Sequence, residues 1–105
     1  MQFTSFLDNG KLTVALTGEI DHHYAKNYIG AINSKIEAYT PTVCVLDFQE
    51  VMFMDSSGIA VVINALRSMT KLNGILQLSN LTGQPLKVIR ASGVDKIVEI
   101  MEAVT

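Results

Sequence analysis

The run Val43-Cys44-Val45-Leu46-Asp47-Phe48 limits most strongly what this chain can become. It is β-branched and almost continuously apolar, a pattern suited to a central strand covered on both faces. Its neighbours on either side follow a different period. Ala25, Tyr28, Ile32, Ile36 and Tyr39 recur every three or four residues between Asp21, a good helix N-cap, and a stop at Thr40-Pro41. Downstream, Ile59, Val62, Ile63, Leu66 and Met69 form a broad apolar face in Ser57 to Leu72, closed by Asn73-Gly74. Asn64, Arg67, Ser68 and Lys71 cover the other side of that helix. A buried strand between two amphipathic helices calls for a sheet with helices packed on it.

The remaining segments extend that sheet. Gln2 to Leu7 and Lys11 to Thr17 flank Asn9-Gly10, a pair suited to the positive φ angles of a tight hairpin. Leu12, Val14 and Leu16 alternate with polar or small residues, so one face of the second strand points to a core. Ile75 to Ser79 reads as a short strand and Gln84 to Ser92 as a helix with Pro85 in its first turn. Ile97 to Ile100 reads as a last edge strand. The order β-β-α-β-α-β-α-β predicts an α/β domain with a mixed sheet of four to five strands.

With 105 residues, the chain is expected to form one domain, residues 1–105. Its 49% hydrophobic and 17% charged content fits a packed core rather than disorder. A net charge of −2 supplies no basic field for a phosphate backbone, so direct nucleic-acid binding is not expected. The N-terminus reads as a strand rather than a signal peptide, and no apolar run approaches the ~20 residues of a membrane span. A cytoplasmic location without membrane contact is expected. Cys44 has no second cysteine to pair with and sits in an apolar run, as a small buried hydrophobe would.

The segment that carries chemistry is Met54-Asp55-Ser56-Ser57-Gly58. A buried strand enters a short loop, and the loop delivers two hydroxyls to a helix start, where unpaired N–H groups favour an anion. Gly58, without a Cβ, leaves room for another protein to approach the backbone. Met52 or Met54 could lie exposed beside Ser56 as an adaptable apolar contact. Ser and Asp are also ordinary N-cap residues, so for the tetrapeptide by itself capping alone is the favoured reading.

The wider pattern resembles the STAS domain of the anti-sigma factor antagonists. The matching stretches are Leu46-Asp47-Phe48, Phe53-Met54-Asp55-Ser56-Ser57-Gly58, Leu16-Thr17-Gly18-Glu19-Ile20-Asp21-His22-His23 and Ala91-Ser92-Gly93-Val94. They span about residues 10 to 101, and the Gly-Glu-apolar-Asp-His-His turn is most similar to the sporulation-type antagonists. The resemblance implies a STAS fold and a partner-switching cycle. The unmodified protein would bind an anti-sigma factor that is also a serine kinase, freeing a sigma factor. Phosphorylation of Ser56 would release the complex, and a serine phosphatase would reset it. Asp21, Met54, Asp55, Ser56, Ser57 and Gly58 would form the partner surface of a free monomer, with no cofactor and no catalysis of its own. Asp21 could act as an N-cap, as a carboxylate for a partner arginine, or as both.

Other readings compete with this one. A serine hydrolase needs a base and an orienting group near Ser56, and Met54 stands where the nucleophile elbow has glycine. His22-His23 lacks companions at ligand spacing, so no metal site is expected. STAS domains also serve as non-switching scaffolding modules or transporter-associated subunits, which is the alternative function. Sporulation-type relatives continue into a further helix, whereas this sequence stops at Met101-Glu102-Ala103-Val104-Thr105. The expectation is a final helix that is missing or reduced to a turn.

Overall fold

A computed structural model describes residues 2–101, so the expectation about the last four residues lies outside what is described. The chain runs through β1 (Gln2–Asp8), β2 (Lys11–Ile20), α1 (His22–Tyr39), β3 (Val43–Met54), α2 (Ser57–Lys71), β4 (Ile75–Ser79), α3 (Gly83–Ser92) and β5 (Glu99–Ile100). A single 3-10 turn, Val94–Lys96, precedes β5. The five strands stand in sequence order across one sheet. β1 is antiparallel to β2, and every later neighbour is parallel. Asn9 and Gly10 both take positive φ, 50° and 79°, as the hairpin turn requires.

Sequential parallel strands joined by right-handed crossovers put every crossover helix on the same face of the sheet. The core agrees. Leu12, Val14, Leu16, Cys44, Leu46, Leu76 and Leu78 from that face pack in one cluster with Tyr28 and Ile32 of α1, Val62 and Met69 of α2, and Ile89 of α3. Across the opposite face the register runs Phe6, Thr13, Val45, Gln77, Glu99. None of these five belongs to the core cluster. The run 43–48 is therefore central, as expected, but helices cover it on one face rather than two. Val45, in the middle of the open-face row, is still only 3% exposed.

A second correction concerns where the strands end. β2 and β3 continue to Ile20 and Met54, well past Thr17 and Phe48. Between the pairs Ala15–Asp47 and Thr17–Glu50, and again between Gly18–Val51 and Glu19–Phe53, β3 has one residue more than β2. Two β-bulges result. They explain why the extension does not read as a strand: Phe48, Val51 and Met54 are buried while the pairs between them are exposed, a period of three rather than two. Tyr28 of α1 is fully buried, and its hydroxyl donates to the Thr17 carbonyl at 2.7 Å, tying α1 to β2 beside the first bulge.

Candidate functional site

The site is built where β2 and β3 end side by side. Ile20 pairs with Met54 in parallel register, and the N–H of Asp55 donates to the Ile20 carbonyl at 3.1 Å. The next residue of β2 is Asp21, so both strand-to-helix turns emerge at one end of the sheet. Asp21 caps α1, its Oδ1 accepting from the N–H of His23 at 2.9 Å and of Tyr24 at 3.3 Å. Asp55 does the same for α2: its Oδ1 accepts from the Ser57 N–H at 2.7 Å, and its carbonyl accepts from the Gly58 N–H at 3.0 Å.

This leaves Ser56 at the tip of the turn. Its backbone is helical (φ −61°, ψ −18°), its side chain makes no capping hydrogen bond, and it is exposed. Capping by the serine itself is thus excluded, because Asp55 already holds the available N–H. The same fact alters the picture of an anion cradle. Ser57 and Gly58 donate to Asp55, and Ile59 donates to the Ser56 carbonyl at 3.1 Å. A phosphate on Ser56 would feel the helix dipole but would find those three N–H groups occupied.

Two residues expected on a partner surface lie elsewhere. Met54 is fully buried, because it continues the core side of β3. Its side chain is not a surface contact. Gly58 is buried as well, and a Cβ built there would stand 2.5 Å from Met54 Cε and 3.1 Å from its sulfur. The glycine makes room for Met54, not for another protein. The exposed apolar residues of this strand are Met52, at 79%, and Phe53, at 42%. Ser57 and Asp55 are half-buried.

One supporting residue escaped the reading of the sequence. Gln84, in the first turn of α3, accepts from the Met54 N–H at 2.9 Å and donates to the Met54 carbonyl at 2.8 Å. β4 reaches only Ser79, paired with Asp47, so the edge of β3 beyond that point has no strand beside it. The glutamine amide supplies the missing pairing at Met54. The only sequence signal was a polar residue before Pro85. Further down β3, Asp47 accepts from the Gln49 N–H at 3.0 Å and from the Asn80 side chain at 2.8 Å, fixing the first bulge.

The chain segments that form the two turns are acidic in sequence. Neither segment 12–25 nor segment 43–66 contains a lysine or arginine, while together they hold Glu19, Asp21, Asp47, Glu50 and Asp55. His22 and His23 stack with ring centroids 4.2 Å apart on the first turn of α1. Among the described residues no group of three or more His, Cys, Asp or Glu side chains could hold a metal ion. Nor is any helix there long and apolar enough to cross a membrane. Burial pushes the Cys44 thiol up to about 12, so it stays protonated at neutral pH.

Comparison with known proteins agrees with this architecture. An anti-sigma F factor antagonist of Lysinibacillus sphaericus is 30% identical over 82 residues, which is 78% of this chain and 70% of that protein. Another from Paenibacillus polymyxa is 27% identical over 93 residues, covering 89% and 80%. Among solved structures, the Bacillus cell fate determinant SpoIIAA in its phosphorylated form superimposes with a TM-score of 0.75 at 27% identity, covering 98% of this chain and 92% of that one. The family model for the STAS domain matches residues 7–105, and this chain belongs to the STAS domain family.

Proposed function

We propose that this protein is an anti-sigma factor antagonist that works by binding, without catalysis of its own, and that Ser56 is its phosphorylation switch. The observation that carries the reading is the serine turn itself. Asp55 takes over the capping of α2, so the neighbouring Ser56 hydroxyl stands exposed and uncommitted at the end of the sheet. The curated relatives are named anti-sigma F factor antagonists, and SpoIIAA is described in unphosphorylated and phosphorylated forms.

In this reading the unmodified turn docks on an anti-sigma factor with serine kinase activity, and a sigma factor is freed. The kinase transfers the terminal phosphoryl group of ATP to the Ser56 oxygen; the bond from that group to ADP breaks, ADP leaves, and the hydroxyl proton is lost. The modified turn gains a charge of about −1.5 to −2. Asp55 and Asp21 already place two carboxylates at this end, and neighbouring segments 12–25 and 43–66 contain no lysine or arginine to offset them. In the free protein the phosphate stays in water, so the fold is retained. In a complex it would be desolvated, and an unpaired buried charge costs several kcal/mol. Since about 1.4 kcal/mol is tenfold in affinity, a fraction of that cost releases the partner. A serine phosphatase then restores the binding form.

Phosphopeptide mapping after incubation with ATP and each anti-sigma factor encoded in the same genome tests the reading. Label on Ser56, with loss of the complex, is the expected result. Label confined to other residues, or no binding before ATP is added, would overturn it.

A further inference from the structure

We infer that the partner surface extends from Ser56 down the open face of the sheet, with Met52 and Phe53 as its apolar anchor inside an acidic rim of Glu19 and Glu50. The complementary partner is a surface with an apolar recess bordered by lysine or arginine. This inference rests on the function proposed above and names the contacts and partner chemistry of that same site.

The second bulge is the device that makes the anchor. Between Val51, opposite Gly18, and Phe53, opposite Glu19, Met52 has no partner on β2. The extra residue puts two apolar side chains in succession on the outside of the strand. Met52 is 79% and Phe53 42% exposed, although the buried positions Val51 and Met54 flank them on the core side. Among the described residues, neither belongs to the core cluster or to the partly buried apolar residues packed against it. Adjacent exposed apolar residues beside a functional turn mark an interaction surface more often than isolated ones do.

Their position gives the direction of docking. Phe53 immediately precedes Met54, whose side chain enters the core, so Phe53 lies on the face opposite the core, which carries no helix among the described residues. A partner seated on Ser56 therefore meets Met52 and Phe53 if it extends over that face. The charges specify its chemistry. Glu50 stands opposite Thr17, and Glu19 stands opposite Phe53. Both are exposed, and no lysine or arginine occurs in segment 43–66 or in segment 12–25. Positive side chains on the partner would pair with the rim while the apolar centre excludes water, the usual division between an interface core and its edge.

Titration calorimetry tests the inference, using unphosphorylated wild type, Met52→Asp, Phe53→Ser, Met52→Leu and Glu50→Lys against each purified anti-sigma factor encoded in the same genome. Circular dichroism and thermal melts check folding. The expected result is a loss of at least about tenfold in affinity for Met52→Asp and Phe53→Ser, with Met52→Leu close to wild type. Glu50→Lys should weaken binding less, and by a margin that shrinks at high salt. Wild-type affinity in folded Met52→Asp and Phe53→Ser overturns the inference and leaves the proposed function standing. Failure of the wild type to bind any of these proteins overturns both. Should Phe53→Ser not fold, Met52→Asp and hydrogen exchange on the wild-type complex decide: absence of protection at 50–53 on binding also overturns the inference.

Discussion

Gln84 closes both hydrogen bonds of its side-chain amide on the backbone of Met54, accepting from the N–H at 2.9 Å and donating to the C=O at 2.8 Å. It behaves as a one-residue strand, continuing the sheet where β4 has already ended. Because Met54 immediately precedes the Asp55-Ser56 turn, the first turn of α3 sets the position of a loop it does not belong to. Replacing Gln84 by Ala leaves a part-buried donor and acceptor without partners. Each orphaned group costs about 1–3 kcal/mol where water cannot reach it, and the half-exposed setting of Gln84 places the expected loss at the low end. Urea titration should therefore show Gln84→Ala less stable by about 1–2 kcal/mol, with faster amide exchange at Met54. An unchanged midpoint would show that water replaces the glutamine without cost.

Gly58 and Met54 test the packing beneath the serine. Gly58→Ala would bring a Cβ to 2.5 Å from the terminal methyl of Met54. The methionine end is flexible, yet its own Cβ also stands only 3.2 Å away, so rotation alone does not clear the space. An overpacked core costs about 1–3 kcal/mol, and thermal melts should report a loss in that range. Combining Gly58→Ala with Met54→Ala should recover part of the loss due to the glycine change, seen as a favourable coupling in a double-mutant cycle.

Ser56 variants separate folding from switching. Because its side chain makes no capping bond, Ser56→Ala and Ser56→Asp should each melt within about 0.5 kcal/mol of wild type. In pull-downs Ser56→Ala is expected to hold the anti-sigma factor after ATP is added. Ser56→Asp is expected to hold it weakly from the start. Strong binding by the aspartate variant would count against charge as the releasing agent.

Cys44 offers a probe of global stability. Its thiol is raised to about 12 from an ordinary 9.0 by burial, which disfavours the thiolate. A group whose folded pKa is raised contributes stability that is complete below the unfolded value and fades as pH climbs through the folded one. Stability should therefore fall between about pH 9 and pH 12 for wild type and less steeply for Cys44→Ala. Iodoacetamide at neutral pH should label the protein only as fast as it unfolds; rapid labelling of the native state would contradict the burial.

Much of the scaffold was legible in local patterns. The stripe Ala25-Tyr28-Ile32-Ile36, the hairpin at Asn9-Gly10 and the run 43–48 each report an element through its own periodicity, because burial on one side of a helix or strand imposes a repeat; Tyr39, expected to continue the stripe, is instead exposed at the end of α1. The Asp21 cap was legible for the same reason: it bonds residues only two and three positions away. β3 beyond Phe48 was not, since two bulges replace its alternation with a period of three.

By itself, the sequence determined the α/β order and the buried stripe Ala25, Tyr28, Ile32 and Ile36, because each depends on contacts within a few residues, while its family resemblance pointed to Ser56 as the candidate switch. Only the tertiary structure decided which neighbours of that serine face outward. Met54 and Gly58 close on each other inside the domain, Asp55 rather than Ser56 caps the helix, Gln84 reaches across 30 residues to hold the strand end, and the bulge turns Met52 outward. These outcomes depend on register between distant strands. A one-residue shift in β3 exchanges the inside of the sheet for the outside, and no local pattern records it.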